Sequence, residues 1–245
     1  VSGLSIPPTQ IRVSTRKDPM TTTNLIELRQ YLLHAGQRDT LIDLFDREFV
    51  ETQEAVGMDV LGQFRDPQRP DYFVWFRGFP DMTARHESLT AFYDGPVWAK
   101  HRDVANAAMI DSENVMLLRA VTNDDALAAH RPNRRDKRKP TGRVVVVAEH
   151  VEHINEETIG NFKYDVIPFL HQSGCRTLGV YATEVAPNTF ARLPVRTDRA
   201  IVWIGAIETD DSSAVRHAIT PVTERRQDRH VLIPTTRSVL DGTAR

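Results

Sequence analysis

Residues 130–142, HRPNRRDKRKPTG, contain no hydrophobic residue. Such a stretch has nothing to bury, so it is expected to be an exposed linker or long loop. It divides the 245-residue chain into two parts of similar length, 24–125 and 143–240, with the linker counted from 126 to 142. Trypsin is expected to cut first within RRDKRK. A basic tract also suits nucleic acid, but no aromatic residue is interleaved for stacking. The formal net charge is −2, which argues against bulk attraction to nucleic acid or an anionic membrane.

Both parts show one order of elements. NLIELRQYLL (24–33) has the make-up of a strand. In 37–56 the residues Leu41, Leu44, Phe45 and Phe49 fall on one helical stripe, and Gly57 suits the helix end. Strands are expected over 58–66 and 71–79, then a helix broken at Asp94-Gly95-Pro96, then a strand over 113–121. In the second part the expected elements are a strand over 142–154, a helix over 155–174 interrupted by Pro168, and strands over 175–185 and 199–207. A shorter helix over 210–227 and a strand over 229–236 complete it. Twice over, the order is βαββαβ, so the expected fold is α+β: two tandem ferredoxin-like repeats, an internal duplication, forming an α/β barrel. Residues 1–23, with Pro7, Pro8 and no periodic pattern, are expected to be a disordered tail, with Met20 a candidate natural start.

The single cysteine, Cys175, excludes an intrachain disulfide and suits a reducing, cytoplasmic location. No apolar run approaches the ~20 residues of a membrane span. No glycine-rich phosphate loop, G-x-S-x-G or H-E-x-x-H is present, so no cofactor is expected. In AEHVEHINEE (148–157) neither strand face gathers three ligands, so no metal is expected either.

IELRQYLL (26–33), WFRGFPDMTAR (75–85), FYDGPVWAKHRDVANAAM (92–109) and NVMLL (114–118) together resemble the NIPSNAP family of the dimeric α/β barrel superfamily. The resemblance is specific over about 24–120 and faint over 143–240. It implies a fold in which two four-stranded sheets face each other with helices outside. The family has no agreed activity; related barrels include cofactor-free monooxygenases and haem-degrading enzymes, an analogy at the level of fold. An intramolecular barrel is expected, and a further homodimer is open.

Strand alternation sorts the site candidates. Glu27, Arg29 and Tyr31 share one face of the first strand, and Ile26, Leu28, Gln30 and Leu32 the other. The more apolar row is expected to meet the helices, which sends Glu27, Arg29 and Tyr31 into the barrel. Trp75 and Arg77 alternate together on the third strand. Arg29, Arg77 and Arg85 suit an anionic group of a small-molecule ligand. His101 is the natural proton shuttle near neutral pH. Glu27 serves as a base only if burial outweighs Arg29, and a structural ion pair is the plainer role for it. Tyr93, Trp98 and Arg85 belong to the broken helix, and His34 is expected near a cavity mouth. Three functions stay open: a cofactor-independent enzyme acting on a small organic substrate in the barrel, a non-catalytic carrier, and an interaction or scaffold protein with a packed barrel.

Overall fold

A computed structural model of the chain describes residues 22–128, 140–208, 220 and 223–242. Most of the expected tail, the centre of the linker and most of the helix expected over 210–227 lie outside them. Eight strands carry the architecture: β1 (Leu25–Leu33), β2 (Asp59–Arg65), β3 (Tyr72–Phe79), β4 (Val115–Ala120), β5 (Arg143–His150), β6 (Arg176–Thr183), β7 (Ala200–Ile207) and β8 (Gln227–Pro234). Neighbours run β3-β2-β8-β5-β7-β6-β4-β1, and β1 pairs back onto β3, so the antiparallel sheet closes into a barrel. Closure removes the sheet edges that would otherwise recruit other chains. Each half contributes four strands in the same layout. The seams between halves are β2–β8, at Ile233↔Arg65 and Pro234↔Phe64, and β4–β6, at Leu118↔Thr183 through Ala120↔Tyr181.

The barrel interior is apolar. Ile26 and Leu28 of β1 pack there with Phe64, Phe76, Val146, Val202 and Leu232 from strands of both halves. This reverses the expected faces of β1. Glu27, Arg29 and Tyr31 point outward, against the helices, with Trp75 and Arg77 beside them in register. The reason is that both surfaces of the sheet are buried. The inside is enclosed by eight strands and holds apolar side chains, whereas the outward row is covered by helices that supply polar partners. The run VVVVA in β5 has the same cause: Val144 and Val146 face inward, while Val145 and Val147 pack under a helix.

The first half is covered by a helical segment, α1 (Arg38–Leu44) to α2 (Val50–Ala55), joined through a π-helical turn at Phe45–Phe49. Phe45 and Phe49 are both buried, and such wide turns often adjoin functional sites. Gly57 ends the segment at φ 99. Next come α3 (Met82–Tyr93) and α4 (Pro96–Ala108). Asp81 caps α3 by accepting from Ala84 N at 2.8 Å. Gly95 and then Pro96, at the first position of α4, make the break. No helix among the described residues is long and apolar enough to cross a membrane.

The second half is covered by α5 (Glu156–Gln172). This helix is continuous, contrary to the expected interruption at Pro168. Pro168 and Tyr164, the residue four earlier, both lie on the exposed side, where water replaces the missing hydrogen bond. The strand expected over 142–154 stops at His150, and Gln227 opens β8 instead of closing a helix. Asn155 caps α5: its side chain accepts from Thr158 N at 2.9 Å, and Asn155 N donates to Thr158 Oγ1 at 3.1 Å. Asn155→Ala is expected to lower stability by about 1 kcal/mol, read as a shift of the urea midpoint at constant slope.

Candidate functional site between sheet and helices

Antiparallel pairing sets Glu27 opposite Arg77, and Arg29 opposite Trp75, so these four side chains meet on the outer face of the sheet. The Glu27 carboxylate accepts from Arg29 Nη1 at 2.6 Å, Arg77 Nε at 2.7 Å and Arg85 Nε of α3 at 2.7 Å. Arg77 Nη2 and Arg85 Nη2 also lie 2.7 Å from its oxygens, as charge contacts not aligned for hydrogen bonds. All four side chains are at most 1 % exposed, so this is a buried charge cluster rather than a surface ion pair.

Burial pushes the Glu27 carboxyl up, but Arg77, Arg29 and Arg85 together hold it well below the usual carboxylate range. Glu27 is therefore a permanent anion with its oxygens taken up by guanidiniums, and it is excluded as a base. Burial, with the repulsion of Arg77 and Arg29, lowers Arg85 despite its contact with Glu27. Arg29 Nε donates to the Tyr31 hydroxyl at 2.7 Å, and Arg77 Nη1 to Gln53 Oε1 of α2 at 3.2 Å. Burial and Tyr93 raise the Tyr31 phenol against the pull of Arg29 and Arg77, so it stays protonated at neutral pH.

Beside the cluster is a cavity of about 40 Å³, lined by Tyr31, Gln53, Trp75, Tyr93 and Trp98, with Phe45, Phe49 and Phe92 and the small Ala105 completing its walls. It has room for roughly three waters, less than the ~150 Å³ that takes up a benzene ring, so a ring-sized ligand needs the aromatic walls to part. The charge cluster forms its back. The Arg77 guanidinium carbon lies 5.1 Å from the Trp75 ring and 5.9 Å from the Tyr93 ring, and that of Arg29 lies 5.3 Å from the Tyr31 ring, all within cation–π range.

The sequence-derived candidates thus separate into three groups. Tyr31, Trp75, Tyr93 and Trp98 line the cavity. Glu27, Arg29, Arg77 and Arg85 form the cluster behind it. His101 and His34 belong to neither. His101 Nε2 lies 3.5 Å from Glu48 Oε2, with its ring edge-on to Phe49, and His34 is exposed in the loop after β1. Two participants had no local signal. Gln53 stands on the far side of the π turn, and Asn188 comes from the other half: its Oδ1 accepts from Arg85 Nη1 at 3.0 Å. Phe190, two residues on, is buried against Tyr93 and His86. Among the described residues no group of three His, Cys, Asp or Glu is placed to hold a metal.

Acid sensitivity follows from two carboxylates. Glu27 sits far below its ordinary value of 4.5. Asp66 is pushed up by burial but brought down to about 2, from 3.8, by His230 and Arg69. Both values are depressed in the folded chain, so both contributions are present above the ordinary values and are lost as pH falls. Stability is expected to be flat from pH 7 to 5 and to drop steadily from pH 4.5 to 2, as read by urea midpoints at each pH.

No protein-family model and no curated protein matches the chain. Solved structures do. A candidate monooxygenase from Lactobacillus acidophilus aligns over 86% of this chain and 94% of its own, at 12% identity and a TM-score of 0.50. Another from Fusobacterium nucleatum aligns over 88% and 94%, at 10% identity and a TM-score of 0.51. The fold is theirs. NIPSNAP family proteins are also among the similar structures; one of unknown function from Agrobacterium tumefaciens aligns over 41% of this chain and 93% of its own, at 17% identity and a TM-score of 0.37.

Proposed function

We propose that the chain binds a small planar organic molecule in the cavity between the β1–β3 face and helices α1 to α4. The observation that carries this is the lining. Aromatic walls surround a few fixed polar groups, Tyr31 and Gln53, each held from behind by an arginine, which is the general make-up of a ligand site. The two full-length neighbours carry monooxygenase descriptions. By analogy of fold, the activity proposed is monooxygenation by dioxygen without an organic cofactor, in which a substrate CH2 group becomes a carbonyl and its two hydrogens leave with the second oxygen atom as water. The matching strand layout of the halves supports an internal duplication in which the first half kept the cavity.

A second reading has its own support. The barrel interior is filled by side chains, the feature expected of a non-catalytic scaffold. That reading and the first make different predictions for the outer cavity. Trp75 and Trp98, two of the three tryptophans, line it, so entry of a small aromatic compound such as phenol or benzoate should change intrinsic fluorescence saturably. At one hundred times Kd the ligand should stabilise the fold by about 2.7 kcal/mol. Ala105→Leu should fill the cavity and abolish both effects while the variant stays folded. A wild-type chain that neither changes fluorescence nor gains stability with a panel of small aromatics leaves the scaffold reading in place.

A further inference from the structure

The charge cluster is out of balance. Three guanidiniums, Arg29, Arg77 and Arg85, meet one carboxylate, an excess of two positive charges within residues that are at most 1 % exposed. Their other partners, Tyr31, Gln53 and Asn188, are neutral. Buried charge without compensation is expensive, and it is kept here against one cavity.

Two residues of the cavity wall hold unused donors. The indole N–H of Trp75, a wall residue 2 % exposed, has no acceptor among the described residues. The Tyr31 hydroxyl accepts from Arg29 Nε, which leaves its own proton available, and no acceptor for that proton is found among the described residues. The two rings meet edge to face with centroids 5.9 Å apart, and the Arg29 guanidinium carbon lies 5.3 Å from the Tyr31 ring and 5.6 Å from the Trp75 ring, so an anionic acceptor that reached both donors would sit in the field of Arg29 and Arg77.

We infer that the ligand is an organic oxyanion, a flat apolar body bearing one carboxylate or phenolate oxygen, held by the Tyr31 hydroxyl and the Trp75 indole N–H in the field of Arg29 and Arg77. This inference rests on the cavity reading above. It adds the charge of the ligand and the end of the cavity at which that charge sits. A neutral ligand of the same shape would satisfy the donors less well and would leave the charge excess uncompensated.

The test uses the full chain at pH 7 and fixed ionic strength, titrated with benzoate and with its neutral counterpart benzamide, following tryptophan fluorescence. Benzoate is expected to bind at least tenfold more tightly. In Tyr31→Phe, which keeps the ring and removes the hydroxyl, the benzoate-to-benzamide preference is expected to fall about tenfold. The preference is a ratio within one protein, so a modest loss of stability in the variant does not blur it. Equal binding of the two compounds overturns the oxyanion inference and leaves the cavity reading standing. A benzoate preference unchanged in Tyr31→Phe also overturns it, because the anion is then held elsewhere. Binding of neither compound overturns the inference and the cavity reading together.

Discussion

Replacing Glu27 by glutamine is expected to cost about 3–5 kcal/mol, the range for breaking a buried ion pair by removing one partner. The substitution nearly preserves shape, so the loss reads charge and not packing. Three buried guanidiniums would then face one another with no anion between them, and Arg85, already lowered by Arg77 and Arg29, has no other carboxylate within salt-bridge distance among the described residues. Urea unfolding of the wild type and the variant at pH 7 measures it. A loss under 1 kcal/mol would show that the arginines are compensated from outside the cluster. The corresponding single replacement on the cationic side, Arg85→Gln, should be milder, since it lessens the charge excess.

Phe76→Ala is expected to cost about 3–5 kcal/mol by a different route. Phe76 is fully buried inside the barrel and packs edge-on against Phe64 at 5.7 Å. Its loss leaves a void that the closed strands collapse into only partly. Because the barrel interior is separate from the proposed ligand cavity, the folded fraction of this variant should bind benzoate with wild-type affinity. Stability and binding then respond to different residues: Phe76 alters the first alone, Ala105→Leu mainly the second. A Phe76→Ala protein that is both stable and unable to bind would place the ligand inside the barrel.

Much of the fold was legible because the relevant signals are local. The stripe Leu41, Leu44, Phe45 and Phe49 and the Asp94-Gly95-Pro96 break each act within a turn or two, and each appears where expected. Alternation likewise separated Glu27, Arg29 and Tyr31 from Ile26 and Leu28. What alternation lacks is a sense of direction. A strand buried on both faces presents two candidate interiors, and hydropathy ranks them without saying which one the helices cover. The polar row was sent inward on the assumption that helices take the more apolar side. In a closed barrel the inside is the drier surface, and a charged row is tolerated outside it where Glu27 is hydrogen-bonded by Arg29, Arg77 and Arg85 and where Gln53 of α2 accepts from Arg77.

The site was legible in composition and not in assembly. The aromatic residues of 78–109 do reach the cavity through Tyr93 and Trp98, because the break between α3 and α4 bends both helices over the sheet. The histidines of the same stretch do not: His86 Nδ1 meets Thr189 O and His101 approaches Glu48, so both stabilise packing of the cover. Gln53 and Asn188 were invisible beforehand. One depends on a π turn that shifts the helical phase, and the other on a contact 103 residues away in sequence.

The proposed ligand site lies outside the barrel, between sheet and helices. Crystals of the full chain grown with 4-bromobenzoate, measured at the bromine absorption edge, locate the bromine by its anomalous signal. A peak is expected in the cavity walled by Trp75, Phe45, Tyr93 and Trp98, with the carboxylate toward the Tyr31 hydroxyl. A peak among Leu28, Phe76 and Val146 would contradict it.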